Sequence, residues 1–275
     1  MQSEVPFTCE RRCYERGILE QPIAVFDAGI GSYAIARKIA DRFPGQDVLY
    51  FADRANFPYG GKSRAELLAL LQSTIERLES YGPAAVVIAS NAPSVMVLDD
   101  LRTSSRTPLF GVLPPVRRAL NASVIKRIAV LGVASLIASP EITAYVEREA
   151  AGQGKVDLVN ASDLVELVES GGFLTDVDGT LAAVRAKLET LHSDTDIASL
   201  SSTHLPWLAR YFEQAGPDMR FLDPADDVVE AVAPYVNTGS GTFRTLVSER
   251  PGYDLADFRR MLERLGLDLA IERAV

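Results

Sequence analysis

Ile23-Ala-Val-Phe-Asp-Ala-Gly-Ile-Gly-Ser32 reads as a buried strand running into a glycine turn. Ile23 to Phe26 is short, apolar and partly β-branched, which suits a strand covered on both faces. Asp27 stands where that strand ends. Gly29 and Gly31 carry no Cβ, so the turn can be tight and another backbone can come close. From Ser32 to Phe43 the spacing becomes helical, with Ile35, Ile39 and Phe43 on one face. A carboxylate at the C-terminal end of a buried strand, beside a glycine turn, sits where open α/β sheets bind ligands. A plain capping role also explains Asp27, and G-x-G without a third glycine is a weak motif by itself.

The same alternation continues outward from this unit. Strands are expected at 47–51, 84–89, 109–113, 126–132, 156–159, 196–200 and 221–224. Helices are expected from Ser63, whose capping-box partner is Glu66, to about Ser80, and after Pro93, Pro115, Pro140 and Leu205. Further helices are expected over 180–191, 225–235 and 258–265, and 164–169 is a short helix or strand ending at Gly171-Gly172. Strands alternating with helices imply parallel sheets with right-handed crossovers. The strand–glycine–helix theme restarts at Lys126. The expected architecture is therefore α/β, with two similar Rossmann-like lobes and an interlobe cleft. An N-terminal extension covers 1–21, the first lobe takes 22–111 plus 206–275, and the second takes 112–205. Polar groups at the ends of several strands (Asp27, Asp53, Ser90, Glu169, Ser202, His204) are placed to meet across that cleft.

Composition narrows the function classes. The chain has 275 residues, 47% of them hydrophobic, enough for a sizeable core. A net charge of -9 argues against a nucleic-acid surface and an anionic membrane. The only two cysteines, Cys9 and Cys13, lie in the extension, where C-x₃-C alone is a weak metal signal and no disulfide framework exists. No apolar signal-peptide core and no membrane-length apolar run is present, so a soluble cytoplasmic protein is expected.

The motifs in order resemble glutamate racemase, of the cofactor-independent aspartate/glutamate racemase superfamily. Asp27-Ala-Gly-Ile-Gly31 stands for D-S-G-x-G, followed by Tyr50-Phe-Ala-Asp53. Pro58-Tyr-Gly-Gly-Lys-Ser63 stands for P-Y-G-x-K-S, and Ile88-Ala-Ser-Asn-Ala92 for I-A-C-N-T. Ile128-Ala-Val-Leu-Gly132, Leu167-Val-Glu169 and Ser202-Thr-His204-Leu-Pro206, for C-T-H-Y-P, complete the series. The resemblance covers roughly 22–270. It implies an amino acid held between two lobes, with one thiolate taking the α-proton and a second thiol returning one from the far side. It assigns assisting roles to Asp27, Asp53, Glu169 and His204, and substrate contacts to Ala28, Pro58, Tyr59, Gly60, Asn91, Ala92 and Thr203. It implies no cofactor and no metal, and it allows a homodimer or a protein partner, since some glutamate racemases bind and inhibit DNA gyrase.

The departures carry as much information. Both family cysteines are serine here, Ser90 and Ser202. The serine beside the first aspartate is Ala28, and the threonine after the first asparagine is Ala92. The T-x-x-T pair reads Val133 and Leu136, and the tyrosine of C-T-H-Y-P is Leu205. A thiol ionises near pKa ~8.5, against about 15.7 for water as a stand-in for an alkanol. That gap amounts to about 10 kcal/mol, partly recovered by the greater basicity of an alkoxide. Three readings stand: a racemase-fold protein that binds a small acidic amino acid or related carboxylate without two-thiol racemisation; an altered or weak glutamate/aspartate racemase; and a non-enzymatic interaction protein. Ser202 and His204, two apart, also admit a hydrolase-like pairing.

Overall fold

The structure, a computed structural model, describes residues 19–274. Cys9, Cys13 and most of the expected extension lie outside the described residues. In chain order, the first elements are β1 (Ile23–Asp27), α1 (Tyr33–Arg42), β2 (Val48–Ala52), α2 (Arg64–Glu79), β3 (Ala85–Ile88), α3 (Asn91–Ser104) and β4 (Leu109–Gly111). There follow α4 (Val116–Ala122), β5 (Arg127–Gly132), α5 (Ala134–Ile137), α6 (Pro140–Ala150), β6 (Lys155–Asn160), α7 (Ser162–Glu169), α8 (Gly172–Thr175) and α9 (Val177–Glu189). The chain ends with β7 (Ile197–Leu200), α10 (Ala209–Ala215), β8 (Arg220–Leu222), α11 (Ala225–Val232), β9 (Phe243–Val247), α12 (Leu255–Arg264) and β10 (Ile271–Arg273).

The strands form two all-parallel sheets, ordered β10-β9-β2-β1-β3-β4 and β6-β5-β7-β8. The apolar run of β1 is buried on both faces: Ile23 and Val25 pack in the core shared with the second lobe, and Ala24 and Phe26 pack against Leu67 and Leu71 of α2 and Val97 and Leu98 of α3. Local chemistry sets the helix starts. Ser63 accepts from Glu66 N while the Glu66 carboxylate takes Ser63 N–H, so α2 opens on a full capping box. Ser139 caps α6 with Pro140 at its first position.

The chain order of the lobes differs from expectation at one boundary. β8, at Arg220–Leu222, pairs with β7 in the second sheet, so that lobe runs past 205. The chain returns to the first lobe with α11, which packs on α1, and then β9, which pairs with β2. β9 and β10 were not expected: Phe243-Arg-Thr-Leu-Val247 is a short strand-like run masked by the loop before it. The short segment 164–169 resolves as helix, within α7, so Glu169 ends a helix and not a strand.

One core cluster joins the lobes, with Ile23, Val25 and Tyr33 from the first and Leu131, Ala198 and Leu200 from the second. The outer faces of the two sheets carry separate clusters. Among the described residues, no helix is long and apolar enough to cross a membrane.

Candidate functional site

In each sheet, successive crossovers leave a central strand in opposite directions. β1 lies between β2 and β3, and β5 lies between β6 and β7. Crevices open at the carboxyl ends of strands at such reversals. The two reversals face each other and enclose a cavity of about 290 Å³. That is the small end of the ligand-pocket range, suited to a small metabolite. Its walls include Asp27, Ala28 and Gly29 after β1; Pro58, Tyr59 and Gly60 after β2; and Ser90, Asn91 and Ala92 after β3. The second lobe supplies Val133 to Ser135, Glu169, and Ser201 to His204.

On the first-lobe side, Asp27 is 4% exposed. Burial pushes its carboxyl up to about 6 from the ordinary 3.8, against the pull of His204, the Ser90 hydroxyl and the N–H groups of Ala28 and Gly29. Ser90 occupies the N-cap position of α3, yet its side chain does not cap the helix. Ser94 instead ties this turn together, donating to the Ile88 and Ser90 carbonyls and accepting from Val112 N–H. Asn91 Nδ2 donates to the Val112 carbonyl at 3.1 Å.

On the opposite side, His204 Nε2 meets Glu169 Oε2 at 2.8 Å. Glu169 Oε1 takes a 2.7 Å ion pair from Arg54, whose guanidinium also donates to the Ala28 carbonyl. Ile30 N–H donates to Glu169 Oε2 at 3.3 Å. Burial pushes the Glu169 carboxyl up, but the hydrogen bond and charge of His204, with the charge of Arg54, outweigh it and hold it at about 2. Arg54 lies over the rings of Phe57, Tyr253 and Phe258, at 4.5, 5.6 and 5.8 Å from their centroids. The Arg54–Glu169 pair therefore bridges the two lobes.

The glycines of the first turn make this bridge sterically feasible. A Cβ on Gly29 would stand 2.7 Å from the His204 ring, and one on Gly31 would stand 2.6 Å from the Thr203 carbonyl carbon. The first-lobe turn thus presses directly on the Thr203–His204 turn.

Residues 33–232 match the family described as Asp/Glu/Hydantoin racemase. The chain belongs to that family. It is 31% identical over 268 residues to the glutamate racemase of Roseiflexus sp. (strain RS-1), covering 93% of this chain and 96% of that one. It is 34% identical over 215 residues to the glutamate racemase of Mycobacterium leprae, covering 77% of each. A crystal structure of glutamate racemase from Thermus thermophilus in complex with β-chloro-D-alanine superposes with a TM-score of 0.78 at 29% identity, covering 92% of this chain and 96% of that one. The RacE1 isoform from Bacillus anthracis superposes at 0.80 with 23% identity, over 93% and 97%. The two-lobed fold of this racemase-family chain is that of the glutamate racemases.

The cavity gathers most of the residues singled out in the racemase-like motifs, with three departures. Asp53 does not line it. Its carboxylate accepts from Asn56 Nδ2, the Tyr59 hydroxyl and the Ser248 hydroxyl, which makes it the anchor of the loop carrying Pro58 to Gly60. Leu136 is buried behind the wall with Ala92 and Ile142, and Leu205 is buried in the shared core. Of the residues not singled out, Arg54, Ser135, Ser162 and Val165 matter most. Arg54 follows Asp53 directly, and an arginine inside a cleft motif was its only signal. Ser162, whose hydroxyl accepts from Ala134 N–H, had none. The hydrolase-like pairing finds no support, because among the described residues the Ser202 hydroxyl makes no hydrogen bond to the His204 ring, whose Nε2 meets Glu169.

Proposed function

We propose that this racemase-family protein binds a small amino acid or related carboxylate in the interlobe cavity and does not run two-thiol racemisation. The observation that carries this reading is the pair of hydroxyls lining the cavity, Ser90 and Ser202, with acidic and histidine partners kept around them. The chain's only cysteines, Cys9 and Cys13, precede the described residues, and among the described residues no thiol lines the cavity. The Thermus thermophilus relative holds β-chloro-D-alanine, a small amino acid, which supports the ligand class.

The residues would divide the work as follows. Asp27, with its carboxyl near 6, takes or gives a proton close to neutral pH. Its neighbour Ser90 remains a hydroxyl, because ionising an alkanol lies about 10 kcal/mol beyond ionising a thiol. Glu169 stays ionised and fixes the His204 ring through Nε2. Ser202, on the far side, has the same deficit as Ser90. Each face of an α-carbon would therefore lack a base of the required strength.

The test is solvent deuterium incorporation at the α-carbon of both enantiomers of alanine, glutamate and aspartate, alongside calorimetric binding. The wild-type protein is expected to bind an amino acid and to show exchange no faster than a buffer blank. Exchange at ordinary enzyme turnover would overturn the loss of racemisation. Absence of all binding would overturn the ligand reading. Ser90→Cys together with Ser202→Cys is expected to raise exchange on the bound amino acid above the wild-type protein.

A further inference from the structure

We propose that Arg54 is a positioning residue: through Glu169 it lets the first lobe place the His204 ring of the second, so that wall of the cavity is set only while the lobes are closed. The inference concerns how the cavity is built and holds whatever ligand the cavity takes.

Arg54 is fixed by its own lobe alone. It follows Asp53, the anchor of its loop, and its side chain is 6% exposed. Its guanidinium lies over the rings of Phe57, Tyr253 and Phe258 and donates to the Ala28 carbonyl, and all four partners belong to the first lobe. The ring cage has its own tie, because Arg250 donates to the Phe57 carbonyl at 2.8 Å and lies over the Tyr253 ring. The Arg54 cation is thus preorganised on the first lobe, and a cation buried this deeply needs an anion.

Glu169 stands in the opposite situation. It is the last residue of α7, followed by Ser170 and by Gly171 at a φ of 75°. A carboxylate there faces the negative end of the helix dipole, so α7 by itself disfavours the charge. Among the described residues, its one hydrogen-bonding partner from the second lobe is His204 Nε2. Arg54, at Oε1, and the Ile30 N–H, at Oε2, come from the first lobe.

This arrangement makes the ring depend on the seam. Arg54 holds Oε1, which leaves Oε2 for the Ile30 N–H and the His204 ring, arriving from opposite lobes. Glu169 is ionised and can only accept, so Nε2 carries a proton and donates it. When the lobes part, Glu169 loses Arg54 and Ile30 together. The ring is then left with a carboxylate that nothing else orients.

Nuclear magnetic resonance of the full chain tests this through two protons, the His204 Nε2–H and the Ile30 amide. The chain has only two histidines, and the exposed His192 serves as the internal reference. In the wild-type protein both protons are expected to exchange with solvent through one opening, with opening constants equal within about threefold. Arg54→Met keeps a stem in the ring cage and removes the charge. It is expected to speed exchange of both protons about tenfold or more and to shift the His204 Nε2 resonance, with His192 and the amides inside β1 unchanged. Arg54→Lys, which restores the charge, is expected to recover most of both signals. Wild-type behaviour of both protons in Arg54→Met would overturn the proposal. So would a lysine variant that behaves as the methionine one, since the charge would then not be what holds Glu169. If neither variant folds, the wild-type protein still decides: opening constants that differ by about a hundredfold would mean that no common seam holds the two groups.

Discussion

Asp27, buried, and Glu169, half-buried, line the cleft from opposite lobes, and their surroundings push them in opposite directions. Asp27 rises to about 6 because burial outweighs its donors. Glu169 falls to about 2 because His204 and Arg54 outweigh burial. The folded state therefore holds a proton on Asp27 between 3.8 and about 6 that the unfolded chain has lost, so stability falls as pH rises through that window. Glu169 acts oppositely: its contribution is full above 4.5 and is lost as pH falls toward about 2. Asp27→Asn removes the first effect alone. The variant's unfolding free energy relative to wild type is expected to improve by about 2 kcal/mol between pH 4 and pH 7. Urea unfolding at several pH values reads this directly, and a pH-independent difference would contradict the burial of an ionised Asp27. Asp27 and Ser90 were legible in the sequence because each stands where a buried apolar run stops. Asp53 satisfies the same rule, yet its side chain goes to Asn56, Tyr59 and Ser248, and a strand-end position does not say which way a side chain turns. Arg54 was hidden because its partner, Glu169, is far away in sequence and on the other lobe.

At the scale of elements, the turn between β1 and α1 seats the two lobes against each other. Gly31 needs its hydrogen because a Cβ would lie 2.6 Å from the Thr203 carbonyl carbon and 2.7 Å from His204 N. Those are backbone atoms and cannot rotate aside. Gly29 would instead meet a side chain, the His204 ring held by Glu169, so the two glycines differ in kind. Gly61, with nothing within 4 Å of its virtual Cβ and no positive φ, is the natural control. Gly31→Ala is expected to destabilise the protein by about 1–3 kcal/mol, as overpacking does. Gly61→Ala is expected to change stability by less than about 0.5 kcal/mol. Thermal melts of both variants decide it, and equal effects would mean that the turn-to-turn contact carries no strain. G-x-G in the sequence announced a close approach but not what approaches, since Thr203 is brought there only by the second sheet. The central strands were legible from unbroken apolar runs. The edge strand β10, at Ile271–Arg273, carries Glu272 and Arg273 and has no such run to reveal it.

On the scale of the whole molecule, the second lobe is an insertion in the first. β2 is completed only when β9 pairs with it, long after the second sheet has been built. Asp47 secures that late arrival: its Oδ1 accepts from Ser240 N–H, the Ser240 hydroxyl and Thr242 N–H, the residues leading into β9. The shared core then includes Tyr33 and Phe243 of the first lobe beside Leu131, Trp207 and Phe212. Neither lobe buries its inner face without the other, so independent unfolding would expose apolar surface on both. The sequence showed the restart at Lys126 but not this sharing, because inner-face residues of both lobes look alike as apolar runs. The chain contains one tryptophan, and Trp207 sits 1% exposed in that shared core. Its fluorescence therefore reports the joint of the lobes, while far-UV circular dichroism reports both sheets. Urea unfolding is expected to give a single transition with coincident midpoints for the two probes. A fluorescence midpoint well below the dichroism midpoint would show the lobes parting before they melt, and the common core would then be an interface between two separate folding units.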